Sequence, residues 1–151
     1  MIAGFGLAEE IEPGQISLSD AAVAGVHLTR LAPDGRAKAG TETDKIMVGT
    51  PLGSPIVLAA PNELNGLAIA EGIEDALSVH EATGLGAWAA GAASFLPALA
   101  AAVPKWMECI TIWVDDDEAG RRNADALAAQ LDLRGFSTRL ITPTKVLGQR
   151  A

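Results

Sequence analysis

A chain of 151 residues with a net charge of −8 and a pI near 4.6 has room for one main domain with its own core and a small appendage, not for two full-sized domains. Its acidity excludes a protein that grips nucleic acid by charge alone, because phosphate binding rests on Lys and Arg; any such contact must be local or come from another domain. The single cysteine, Cys109, excludes an intrachain disulfide and, lying in an apolar run, is expected in the core.

Residues 1–20 open with Met1-Ile2-Ala3-Gly4-Phe5 and pass through Glu9-Glu10-Ile11-Glu12 to Pro13-Gly14, which reads as a strand and then a turn. Residues 26–31 alternate in polarity, Pro33-Asp34-Gly35 is a turn signal, and an extended segment through Ala39 completes an expected hairpin. Segments 45–48 and 56–59 are further short strands, separated by Gly49, Pro51, Gly53, Ser54 and Pro55. Residues 1–60 are therefore expected to form a small N-terminal antiparallel β appendage.

From Gly66 the pattern changes to alternating strand and helix. Leu67-Ala68-Ile69-Ala70 is a short apolar strand and Glu71-Gly72 its turn; a helix follows over 73–83 with the stripe Ile73, Ala76, Leu77 and His80, closed by Gly84. His80, on that stripe, is expected to be a satisfied core residue. A second strand over 86–90 leads to Gly91, and Ser94 is placed to cap a helix running to about residue 103, with Pro97 in its first turn. Residues 82–104 carry no charge, yet Gly84, Gly86, Gly91, Pro97 and Pro104 interrupt them, so a buried strand and helix fit better than a membrane span. No secretory signal with a basic n-region is evident, and a cytoplasmic protein is expected.

The third strand, Ile110-Thr111-Ile112-Trp113-Val114, runs into Asp115-Asp116-Asp117-Glu118-Ala119-Gly120. Its helix spans about 119–134, with Ala124, Leu127, Ala128 and Leu131 on one face, and ends at Gly135; residues 137–142 make a fourth strand. Such repeated units imply a parallel sheet with helices on its faces. Ligands bind at the carboxyl ends of strands in such sheets, where Glu71, Gly91 and Asp115 all fall. Asp115 and Asp117 project to one side if the extended conformation persists, and no basic residue lies between Lys45 and Lys105. Unless one of them holds a proton, acidic groups gathered this way call for a hard cation such as Mg²⁺, which keeps waters and is held by one or two carboxylates plus phosphate. With His27 and His80 the only histidines, no imidazole base is expected there. Arg121 and Arg122, at the positive end of a helix dipole, balance the acids, contact a substrate phosphate or, in one case, simply point to solvent, and the free N–H groups at the Ser94 helix start could hold another phosphate. Trp88, Trp106 and Trp113 read as core or interface groups.

Glu71-Gly72-Ile73-Glu74-Asp75 after one strand and Asp115-Asp116-Asp117-Glu118-Ala119-Gly120-Arg121 after another resemble the two motifs of the Toprim domain shared by topoisomerases, primases and some nucleases. They are most similar to the primases and primase-helicases of phages and mobile elements, and the β segment before them, around 27–38 and 45–59, resembles the one that precedes Toprim there. The resemblance covers roughly residues 21–142. It implies a Toprim-like, Rossmann-like α/β fold: a parallel four-stranded sheet flanked by helices over 61–142, with the appendage at 1–60 and a tail at 143–151. It implies that Asp115 and Asp117 bind Mg²⁺, with Mn²⁺ a substitute, and that Glu71 is a further ligand or a general acid/base. Asp75, Gly72 and Gly120 would support the site. The implied activity is nucleotidyl transfer from NTPs on single-stranded DNA, with a nuclease or a non-catalytic metal- or nucleotide-binding module as alternatives; the absence of Tyr speaks against a topoisomerase. Two departures stand out. Ile73 replaces a position often aromatic in primases, and the further acidic motif expected after the last strand is missing, so either a longer parent polypeptide carries it, with zinc-binding or helicase domains, or the metal site is incomplete.

Overall fold

The structure, a computed structural model, describes residues 1–143; the expected tail lies outside the described residues from 144 onward. Strand β1 (Ile2–Phe5) opens the chain, and β2 (Glu9–Glu12) and β3 (Gln15–Ser17) form a separate two-stranded hairpin turned by Gly14, at φ 78°. β4 (Gly25–Thr29) and β5 (Lys45–Gly49) join β1 in an antiparallel sheet of order β1-β4-β5. The hairpin expected across Pro33-Asp34-Gly35 reduces to one bridge, Leu31 to Lys38. β4 instead spends its hydrogen bonds on β1 and β5 on either side, with His27 opposite both Ala3 and Met47.

The main sheet contains β6 (Ile56–Ala59), β7 (Gly66–Ala70), β8 (Gly86–Ala89), β9 (Cys109–Trp113) and β10 (Ser137–Ile141), in the order β10-β9-β7-β8-β6. β7 to β10 are parallel, as the spacing of the strand-helix units predicts. β6 is a correction: the segment assigned to the appendage pairs antiparallel with β8 and makes the sheet five-stranded. β7 is central and buried along its whole length, which its unbroken apolar sequence permits.

Helix α1 (Ile73–Thr83) covers one face of this sheet and α2 (Glu118–Leu133) the other. α2 buries Ala124, Leu127, Ala128 and Leu131 as expected, against Leu67, Ile69, Ile110 and Ile112. α1 buries Ile73, Ala76 and Val79, whereas Leu77, expected in its stripe, is 44% exposed. The helix is rolled so that steps of three face the sheet, and Ala87 and Ala89 of β8 leave room for that close approach. His80 is half-buried and satisfied, its Nδ1 2.6 Å from the Leu85 carbonyl oxygen.

The helix expected from Ser94 does not form. Two 3₁₀ segments, Ala93–Phe95 and Pro97–Ala102, take its place, and Ser94 lies inside the first without capping anything. Leu96 N–H donates to the Ala93 carbonyl and Leu99 N–H to the Leu96 carbonyl, the i to i+3 bonds of a tighter turn. Cys109 is exposed rather than core because it begins β9, at the end of the sheet where the flanking layers stop. Trp88 is buried and Trp113 half-buried, whereas Trp106 is 56% exposed. Among the described residues, no helix is long and apolar enough to cross a membrane.

Candidate metal centre

The strand order reverses between β7 and β9: the chain leaves β7 for β8 on one side and returns to β9 on the other. Such a switch opens a crevice at the carboxyl ends of the two strands. Ile69 pairs with Ile112, so Glu71 and Asp115 leave adjacent parallel strands at the same edge. On the β8 side, Gly91 N–H donates to the Glu71 carbonyl at 2.8 Å and fixes the backbone there. Gly72 is the N-cap of α1, in an extended conformation, and a Cβ on it would lie 3.4 Å from Asp75 Oδ2.

The second motif is a tight turn into α2. Asp117 is the N-cap residue, and its Oδ1 accepts from Gly120 N–H at 2.6 Å while its own N–H donates to Asp115 O at 2.8 Å. A Cβ at Gly120 would sit 2.8 Å from that same Asp115 oxygen. Glycine therefore lets the first turn of α2 press against the strand end that carries Asp115. Asp116 turns outward to Arg121, 2.8 Å away, so Arg121 balances the acidic run. Arg122 is exposed.

Electrostatics tie the two motifs together. The Glu71 carboxyl is raised above its ordinary pKa, first by burial, then by a hydrogen bond to the Asp115 carboxylate and by the charges of Asp115 and Asp117. Asp75 is raised as well, by burial and by the charges of Asp115 and Glu74. Glu71, Asp75, Asp115 and Asp117 are thus brought to one edge, close enough for their charges to act on one another. Ser94 does not bring a helix N-terminus to it, since that helix is absent.

Two cations arrive from outside the motifs. Lys45 of β5 lowers the pKa of both Glu71 and Asp75 and lines a small cavity with His27, Gly72, Ile73 and Glu74; Lys38 is 3.8 Å from Glu74. Both lie in the N-terminal segment, so the absence of basic residues between 45 and 105 concealed them. The only available signal was that β5 opens on an isolated lysine. His27 lines that cavity too, buried with its Nδ1 3.3 Å from Thr29 Oγ1, and burial followed by Lys45 lowers its pKa.

An oxygen-only donor set in which burial and neighbouring charges disfavour the ionised form of Glu71 fits a hard divalent ion, which would favour that form. Among the described residues, no three His, Cys, Asp or Glu side chains converge as a closed cage. Asp117 gives an oxygen to Gly120 instead. The fit is to an ion held by one or two carboxylates and water, Asp115 and Glu71 foremost.

A protein-family model, Toprim domain, matches residues 66–147, more than half of the chain. No curated protein and no solved structure matches it.

Proposed function

The chain belongs to the Toprim family, and from that premise we propose that it is the catalytic domain of a primase-like protein, transferring nucleotidyl groups from NTPs along a single-stranded DNA template. At the coarser level, the chain is a metal-binding module of the nucleotidyl-transfer or nuclease class. The observation that carries the finer reading is the meeting of Glu71 with Asp115 at the switch-point edge while Lys45 and Lys38 approach from the N-terminal sheet. Carboxylates on one side and ammonium groups on the other suit a triphosphate.

Bound Mg²⁺ would supply charge neutralisation of the phosphates and of the charge developing in the transition state. Asp115 would hold it, oriented by the Asp117–Gly120 turn. Glu71 would be a further ligand or, where it is not, accept in its ionised form the proton of the attacking hydroxyl and return it to solvent. Lys45 would draw in the polyphosphate, a contact that a net charge of −8 makes valuable because the rest of the surface repels it. Further domains of a longer parent protein, zinc-binding or helicase, and a cytoplasmic setting accompany this reading.

The test is primer synthesis on single-stranded DNA with labelled NTPs and Mg²⁺ or Mn²⁺. Product from the wild type, lost by at least about a hundredfold in Asp115→Asn, supports the proposal. Equal turnover in Asp115→Asn overturns it, and metal-dependent DNA cleavage without NTPs makes the chain a nuclease. A non-catalytic module is the second reading, favoured by the capping role of Asp117 and the lack of a closed cage. Metal binding without turnover would select it.

A further inference from the structure

At the opposite end of β7 from Glu71, roughly 17 Å away by strand rise, the surface opens into a groove of about 620 Å³. One wall is the β2–β3 hairpin, with Glu10, Ile11 and Glu12; the other is the turn before β7, with Glu63, and the exposed Trp106. Ile11 is 63% exposed and Trp106 56%, large apolar side chains set among three carboxylates. Among the described residues no Lys or Arg lines the groove, although Lys105 adjoins Trp106 in sequence. Glu10 uses one oxygen to accept the Gly14 N–H at 2.8 Å, which anchors the hairpin turn and leaves its charge in place.

An indole face flanked by carboxylates is chemically matched to long cationic side chains, whose stems lie on apolar surface while their heads reach acids. Nucleic acid is excluded by the sign of the charge. We infer that this groove docks an Arg- or Lys-rich segment of a partner protein, with Trp106 and Ile11 receiving the stems and Glu10, Glu12 and Glu63 the charged heads. The site stands apart from the carboxylate edge and does not depend on the activity proposed for it. Its place suits attachment of the domain to a larger assembly without obstructing the metal centre.

The experiment is fluorescence anisotropy of a labelled peptide alternating Arg and Leu against the full chain. Expected is saturable binding that weakens about tenfold in Trp106→Ala and at least as much in the triple variant Glu10→Gln, Glu12→Gln, Glu63→Gln. A charge-matched control, Glu42→Gln, Glu81→Gln, Asp125→Asn, should bind like the wild type. Circular dichroism and thermal melts establish that all variants fold. Equal weakening by the control, or no loss in Trp106→Ala, would show attraction to an acidic surface in general and overturn the proposal. Sedimentation velocity adds an independent arm: self-association abolished by Trp106→Ala would place a second copy in the groove and overturn it too.

Discussion

Glu71 bears two opposed demands, since burial favours its neutral form while a metal would favour the charged one. A carboxyl whose pKa is higher in the folded than in the unfolded chain contributes stability that is complete below the unfolded value and lost as pH rises through the folded one. The metal-free Tm is therefore expected to fall as pH climbs from the ordinary carboxylate range through the raised pKa of Glu71, with Asp75 contributing in the same direction. Glu71→Gln should flatten that decline, raise the metal-free Tm at neutral pH, and remove much of the stabilisation by Mg²⁺; thermal melts across pH with and without Mg²⁺ measure all three. Asp117 separates differently. Asp117→Asn keeps a good N-cap acceptor for Gly120 and should fold normally while losing turnover, whereas Asp117→Ala should cost about 1 kcal/mol in denaturant titration as well. At this scale the sequence places Glu71 and Asp115 legibly, because each follows the end of an apolar strand, and Asp75 by its position in the first turn of the helix that follows Glu71. It was blind to Lys38 and Lys45, whose proximity depends on the docking of two sheets and leaves no local pattern.

Elements that a single periodicity governs were legible, and those decided by packing were not. α2 shows its buried stripe in the sequence because small and branched residues recur at helical spacing through Ala124, Leu127, Ala128 and Leu131. α1 was misread at Leu77, because the alanines of β8, not the helix itself, decide how far it rolls. Ser94 failed as a helix start because the segment closes i to i+3 turns, which place Ser94 inside the first turn rather than before it. Gly120 provides the sharpest test of an element against its neighbour. In a helix, Gly→Ala normally stabilises by about 1 kcal/mol. Here the new methyl would meet the Asp115 carbonyl oxygen at 2.8 Å and the Asp115 Cβ at 2.9 Å, backbone and strand-end atoms with little room to yield. Gly120→Ala is therefore expected to reverse the usual sign and destabilise by about 1–3 kcal/mol. Chemical denaturation measures it; a more stable variant would mean that the turn relaxes freely and that glycine is not needed to seat Asp115.

The whole molecule depends on how the N-terminal sheet meets the main one, because only that contact brings Lys45 to the carboxylates. Phe5 is the joint. It is fully buried, belongs to the cluster containing Ile56, Ile73, Ala76 and Ala89, and packs edge-on to Phe95 with ring centroids 6.5 Å apart. Its ring also passes so close to Gly91 that a Cβ there would lie 2.7 Å from Phe5 Cζ, which ties the β1 end to the loop holding the Glu71 carbonyl. The antiparallel strand β6 completes the link, since Ile56 bridges Gly6 and pairs with Ala89. An assignment of 56–59 to a separate appendage could not show this, because four residues of apolar strand look alike in either sheet. If the two sheets are one cooperative body, Phe5→Ala should cost about 3–5 kcal/mol, lower Tm by on the order of 10 °C, and leave one transition shared by the tryptophan and far-ultraviolet signals. Two separated transitions would instead mean that the N-terminal sheet melts alone. In that case Lys45 could not be held at the metal edge by the fold, and Lys45→Ala should then leave nucleotide affinity unchanged. In the joined molecule, Lys45→Ala weakens nucleotide binding in equilibrium titrations and raises the pKa of Glu71 further, since a cation that favours its charged form is gone.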